Sequence, residues 1–257
     1  MRIPDRAIEI GRRLPPLVGM AGARALRAAQ AAEGTVNYVR DWRRYRAIPG
    51  SEPLRLRDAQ PELLDRLGVS PFDRHYFYQD VWAAHRIAEL APGRHVDVGS
   101  RVDLVGFLTA ICPVTFVDIR PLEATVEGLS SVAGSVLELP FADEALESVS
   151  CLHVAEHIGL GRYGDPLDPA GTRRAAQELA RVLAPGGELL FSLPVGTPRV
   201  CYNAHRIHAP RDIPAMVPGL ELVEFTGVDD AGTFRRHRDL SELDGSRYAC
   251  GMYRFRR

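Results

Sequence analysis

Three stretches of this chain carry residue types that can hold a polar ligand and move a proton. The first is His95 to Pro121, HVDVGSRVDLVGFLTAICPVTFVDIRP, in which Asp97 and Gly99 close one apolar run and Asp118 closes the next. A glycine after a strand lets the backbone turn sharply and approach a ligand, and an acid ending the second strand about 20 residues on can accept hydrogen bonds from two ribose hydroxyls. The loop departs from a glycine-rich fingerprint, because Ser100, Arg101, Val102 and Asp103 follow Gly99 where further glycines would stand. The second stretch is Glu156-His157-Ile158-Gly159-Leu160-Gly161-Arg162-Tyr163-Gly164-Asp165, and the third is Asn203-Ala204-His205-Arg206-Ile207. Imidazole titrates near neutral pH, so His157 or His205 is a candidate general base, with Glu156 as its orienting partner or as the cap of the following turn. Arg162, Tyr163 and Arg206, with Asp165 and Asn203 beside them, suit recognition of a phosphate, a carboxylate or a sugar ring. Asp165, Asp168 and His157 could instead hold magnesium, but Asp165-Pro166 and Asp168-Pro169 are also ordinary turn and helix-cap chemistry. No metal is expected on that balance. His153 reads as a satisfied core histidine.

The elements that position these residues follow from periodicity. A helical pattern over Tyr76 to Leu90 stops at Ala91-Pro92-Gly93, directly ahead of the His95 strand. Beyond Asp118, the pattern predicts a short helix near 122–128, a weak third strand over 131–137, a fourth over 147–153, an amphipathic helix over 171–183 and a fifth strand over 188–195. A short helix over 211–216, a sixth strand over 220–225, a charged loop or lid over 227–245 and a last strand over 248–255 complete the reading. Short strands alternating with helices mean a mostly parallel sheet covered on both faces. In such sheets, ligands lie outside the carboxyl ends of the strands, where all three stretches fall.

The 257 residues, 46% hydrophobic and 25% charged, suffice for one sizeable α/β core plus an appended segment and exclude fibrous and disordered classes. The basic residues are all arginine and the net charge is -1, so no global field calls for nucleic acid. Cys112, Cys151, Cys201 and Cys250 make neither a redox nor a metal spacing and read as reduced thiols of a cytoplasmic protein. No apolar run reaches the length of a membrane helix. Residues 1–57 form a basic helical extension with an arginine excess of seven over acids, a helix over 23–32, and no continuous apolar face, since Pro15-Pro16 and Gly19, Gly22 and Gly34 interrupt it. That arm is expected to pack within the protein, across a homodimer, with peripheral contact to an anionic membrane as the alternative. Residues 58–257 form the main domain, with a further short helix expected over 61–67.

Four pieces carry a resemblance: Val96-Asp97-Val98-Gly99, the strand end at Asp118, Leu139-Pro140-Phe141 leading through the fourth strand to Glu156-His157, and LARVLAPGGEL over 179–189. In that order they resemble the class I S-adenosylmethionine-dependent methyltransferases. The variant pieces, Val98-Gly99-Ser100-Arg101 and the second and third stretches above, are similar to a methyltransferase-like subfamily of unassigned function associated with glycan biosynthesis. The resemblance implies a Rossmann-like doubly wound α/β sheet of seven strands, mostly parallel with the last strand antiparallel. It implies S-adenosylmethionine as cofactor, with Asp97 and Gly99 near its methionine part, Ser100 and Arg101 in the altered loop, Asp118 on the ribose, and Ser135 and Val136 where an acid usually meets the adenine. Arg101 would pair with the cofactor carboxylate or block the site. The activity it implies is methyl transfer to an oxygen of a small polar or glycan acceptor. Loss of the glycines points the other way, to a non-catalytic module that keeps the fold and serves a partner in glycan biosynthesis.

Overall fold

The structure, a computed structural model, describes residues 16–257. It divides into two compact units, one ending at Pro71 and the other running from Phe72 to Arg257. The first unit is built on helix α1, Pro16–Arg46. This helix extends beyond the expected 23–32 and runs through Gly19, Gly22 and Gly34, and Pro16 stands at its start, where a missing N–H costs nothing. Gly34 has a packing reason: a Cβ there would lie 2.0 Å from the Leu63 carbonyl oxygen, so only glycine lets the following segment cross the helix. That segment is irregular, and the helix expected over 61–67 does not form.

The second unit opens with α2, Arg74–Leu90, whose N-cap Asp73 accepts hydrogen bonds from the backbone N–H groups of His75 and Tyr76. Strand β1 (His95–Val98), helix α3 (Val102–Leu108) and strand β2 (Val114–Asp118) follow, then β3 (Leu129–Ala133), β4 (Leu146–Leu152), α4 (Gly171–Val182) and β5 (Leu183–Val195). A two-stranded hairpin, β6 (Arg199–Cys201) with β7 (His205–Ile207), precedes β8 (Glu221–Val228), β9 (Phe234–Arg235) and β10 (Ala249–Arg256).

The main sheet runs β3-β2-β1-β4-β5-β10-β8-β9. Pairs among β1 to β5 are parallel, and β10 lies antiparallel between β5 and β8. This is the expected architecture with one addition, the two-residue edge strand β9. Alternation along the strands splits the core in two. Phe116, Leu190 and Met252 face a cluster with Trp82, Ile87, Leu104 and Leu108, whereas Val117, Phe191 and Tyr253 face one with Ala176, Leu179 and Val182. Helices α2 and α3 thus cover one face and α4 the other.

Three local expectations differ from the structure. Residues 122–128 are not helical, and the Leu122 N–H donates to Ser131 Oγ beside β3. Residues 210–216 form two short 3₁₀ turns, each starting at a proline. The charged stretch 227–245 is no open lid: it supplies β9 and a capped turn at Leu240–Leu243, and it buries Arg238 against Asp229 and Glu242.

The chain builds outward from β1 to β3 and then returns to place β4 on the other side of β1. Ligand crevices form where the strand order reverses in this way. Here the reversal lies between Asp97 and its β4 neighbour Ser150.

Candidate functional site

At the carboxyl end of β1 the chain turns through Gly99, whose φ of 71° favours glycine. A Cβ there would sit 3.1 Å from Val154 Cγ1 and 3.6 Å from Asp118 Oδ2, so Gly99 keeps open a space bounded by the ends of β2 and β4. Asp118 Oδ1 accepts the Arg120 backbone N–H at 2.7 Å. Asp97 is not open to a ligand. Its carboxylate is fully buried, accepts the Ser100 N–H at 3.0 Å and the Ser150 hydroxyl, and is raised by burial to about 6. Ser150 also meets His95 Nε2 at 2.8 Å, and His95 Nδ1 meets Ser148 at 2.7 Å, which makes a buried polar chain beneath the crevice. Ser100 Oγ accepts the Leu152 N–H, tying the turn to β4. Ser135 accepts the Leu137 N–H in a tight turn and Val136 is buried. Arg101 lies with its guanidinium 5.2 Å from the Tyr76 ring centre and 2.9 Å from Asp103.

Around the ends of β4 and β5 the structure gathers a second group. His153 has φ 56°, an uncommon backbone conformation for a side-chain-bearing residue. Its Nδ1 lies 2.6 Å from Gln79 Oε1, an acceptor, so Nδ1 carries the proton and Nε2 the lone pair. Gln79 is oriented by its own Nε2 donating to Asp80. His153 Nε2 is buried without a partner, and so is Glu156 Oε2. Glu156 is 1% exposed and burial pushes its carboxyl to about 8, so it is protonated at neutral pH. His157 Nδ1 donates to the Ala204 carbonyl at 2.5 Å, which leaves its Nε2 lone pair 3.7 Å from Glu156 Oε1. Burial, with the Arg162 charge and His205 adding to it, lowers His157 to about 4. Aromatic rings line the group: Tyr76 is 5.4 Å from His153, and Tyr248 lies 5.1 Å from both His75 and His205. Burial lowers His205 as well, with Arg162 and Arg199 adding to the effect.

Not every expected site residue is placed to meet a ligand. Arg206 is 7% exposed and spends its guanidinium on the carbonyls of Ile158 and Asp168. Asp165 accepts the N–H groups of Gly159 and Tyr163, and Asp168 accepts Ala170 N–H and pairs with Arg174, so both carboxylates stabilise the loop. Among the described residues no cluster of three His, Cys, Asp or Glu is arranged around a metal ion. Asn203 is exposed. Arg162 donates to the Ala204 carbonyl at 3.1 Å, and its guanidinium and that of Arg120 each lie 5.1 Å from the Tyr163 ring centre. Glu156, His157, Arg162 and Tyr163 therefore form one group, which borders the crevice through Tyr163 against Arg120 and through Val154, two residues before Glu156, against Gly99. Sequence reasoning missed Tyr76, Gln79 and Tyr248 and set His153 aside. Tyr76 and Gln79, three residues apart on the helix that enters β1, were the available signal.

Comparison with known proteins bears on this geometry. A family model described as Caenorhabditis protein of unknown function, DUF268, matches residues 137–242, and no curated protein matches the chain. Among solved structures, the [4+2]-cyclase SpnF has a TM-score of 0.52 at 13% identity, covering 71% of this chain and 81% of its own. The N-methyltransferase NodS from Bradyrhizobium japonicum WM9, in complex with S-adenosyl-l-homocysteine, has a TM-score of 0.50 at 19% identity, covering 76% of this chain and 91% of its own. The fold is a Rossmann-like methyltransferase fold. A cyclase among its neighbours shows that such a fold alone does not fix the reaction, so the function has to be argued from the site.

Proposed function

We propose that this chain binds S-adenosylmethionine and transfers its methyl group to an oxygen of a small polar acceptor, with a sugar or glycan precursor as the favoured class. The observation that carries the reading is that Gly99 lies beside Asp118 and Val154 at the reversal of strand order, with the Glu156-His157 turn following Val154 directly. The residues present fit the cofactor. Gly99 leaves a space that any Cβ would narrow, Asp118 Oδ2 faces it, and Val154, which leads into the turn carrying the unpartnered Glu156 Oε2, borders it. The bound complex of NodS with S-adenosyl-l-homocysteine supports the same use of this fold. When bound, S-adenosylmethionine supplies an electrophilic methyl group on a sulfonium centre.

The remaining work falls to the protein. Asp118 holds the ribose, and Ser135 and Val136 line the adenine end. Glu156, which burial keeps protonated in the free protein, takes the proton of the acceptor hydroxyl once it is ionised. His157, fixed by Ala204, accepts a hydrogen bond at Nε2 and orients the acceptor. Tyr163 offers a ring face to a sugar, and Arg162 donates to its oxygens. The second reading, a module that has lost the cofactor, is favoured by Arg101, which stands on Tyr76 where a glycine loop would leave space. Calorimetric titration with S-adenosylmethionine and S-adenosylhomocysteine decides between them. Binding tighter than about 100 micromolar, about 5.5 kcal/mol, that disappears in Asp118→Ala supports the enzyme. An absence of heat with either compound leaves the binding module.

A further inference from the structure

Buried polar atoms without partners are uncommon in native proteins, and each calls for an explanation. Two of them, His153 Nε2 and Glu156 Oε2, lie in the second unit and are linked through Tyr76, whose ring is 5.4 Å from that of His153 and whose hydroxyl is raised by burial and by Glu156. His153 Nε2 offers a lone pair, and Glu156 Oε2 does so once its carboxyl group is ionised. His153 cannot offer a proton there, because its hydrogen sits on Nδ1 toward Gln79 and burial lowers the ring to about 3. Its strained backbone and its anchors, Gln79 and Ser192, fix the lone pair in place.

The groups facing Glu156 do not supply a compensating ion pair. Tyr76 from α2, Tyr248 and Cys250 at the start of β10, and Cys151 from β4 are all raised with Glu156 among the causes, so they are neutral near pH 7. His157, lowered to about 4, is neutral too. Asp73, the N-cap of α2, adds negative charge to the field at Tyr76. Arg162 is the cation whose charge acts on Glu156, and among the described residues no arginine lies within ion-pair distance of that carboxyl group. A carboxyl group buried in this way stays protonated until a cation arrives.

We propose that Glu156 Oε2 and His153 Nε2 together seat a cationic group of the ligand, and that Glu156 releases its proton to solvent when that group enters. The inference rests on the reading of this crevice as a cofactor site, since S-adenosylmethionine carries two candidate cations, an ammonium and a sulfonium. The aromatic rings of Tyr76 and Tyr248 suit either one. Binding then arms the base: the carboxylate appears only when the methyl donor is in place. No bond is made or broken in this step, and the proton lost by Glu156 is taken up by the buffer.

The test is calorimetry on the full chain at pH 7 in two buffers of different ionisation enthalpy, with S-adenosylmethionine, S-adenosylhomocysteine and 5′-methylthioadenosine as probes. Close to one proton is released per S-adenosylmethionine bound. Release with that compound alone assigns the cation as the sulfonium, whereas equal release with S-adenosylhomocysteine assigns it as the ammonium. Methylthioadenosine, which has neither, binds without release. The affinity for the cationic ligand rises close to tenfold per pH unit between pH 6 and 8 and then levels off. In Glu156→Gln both the release and the pH dependence vanish. Binding of S-adenosylmethionine with the same heat in both buffers overturns the inference and leaves the function standing, as does proton release with methylthioadenosine. If none of the three binds, the cofactor reading fails and the inference with it.

Discussion

Replacing Glu156 by glutamine swaps a buried carboxyl group for an amide of nearly the same shape, and its effect on stability can be worked out from burial. In the unfolded chain the carboxyl ionises near 4.5, whereas in the folded protein it stays protonated to about 8. Between these values the unfolded state binds fewer protons than the folded state, so stability falls as pH rises, by up to about 1.4 kcal/mol per unit. The contribution is fully present below 4.5 and is lost as pH climbs toward 8. Glutamine does not titrate, so the variant lacks this slope. From pH 5.5 to 7.5 the variant should gain about 2–3 kcal/mol relative to the parent, equivalent to roughly 5–10 °C in melting temperature for a chain of this size. The absolute difference at one pH is less informative, because the new amide N–H groups have no partner and cost about 1–3 kcal/mol. Urea unfolding of both proteins at pH 5.5, 6.5 and 7.5 reads the slope, and other titrating groups cancel in the difference. Parallel stability profiles would refute the claim that Glu156 is buried and uncharged in the free protein.

Other substitutions test the frame around the site. Gly159→Ala places a Cβ 2.1 Å from the Asp168 carbonyl at a φ of 79°, so it should cost more than about 2 kcal/mol by chemical denaturation, well beyond the usual cost of a left-handed alanine. Arg206→Met keeps the apolar stem and removes two carbonyl anchors. It should lower stability by about 2–4 kcal/mol and speed amide exchange at Gly159 and its neighbours, whereas a role confined to substrate contact would leave exchange unchanged. Ser150→Ala cuts the link between His95 and Asp97 and removes a donor from a fully buried carboxylate. Its expected cost is about 1–3 kcal/mol at pH 7, read by thermal melting.

The sheet was legible in the sequence because its strands are short, β-branched and separated by strong stops, and because Gly99 and Asp118 mark where two of them end. The order of the motifs carried the fold as well, including the antiparallel last strand. What could not be read is which polar side chains the assembled loops would use up. Arg206 has the right chemistry for an anion, but two carbonyls of the loop around Gly159 and Asp168 turn inward and claim it. Asp97 stands next to Gly99 in sequence, yet strand alternation turns it to Ser150 inside the sheet. His153 read as a satisfied core residue because half of it is: Gln79, 74 positions earlier, meets one nitrogen and nothing meets the other. Tertiary approach also decides the role of Gly34, which in the sequence only interrupts an apolar face and in the structure serves as a crossing point.

Strand β10 pairs with β5 from Ala249↔Val195 to Arg256↔Glu188 and with β8 on its other side. It is the last described strand in sequence, yet it lies in the interior of the sheet. During vectorial synthesis, β5 and β8 are therefore made well before the segment that joins them, and each leaves the ribosome with an open hydrogen-bonding edge. Open edges are templates for wrong pairing, and incomplete chains are when that hazard is greatest. The arginines at 254 and 256 that converge on Glu188 belong to this late strand, so two charges arrive together with the apolar residues that close the gap. A chain stalled before residue 249 would expose both edges at once, so the late strand is what removes two templates for wrong pairing.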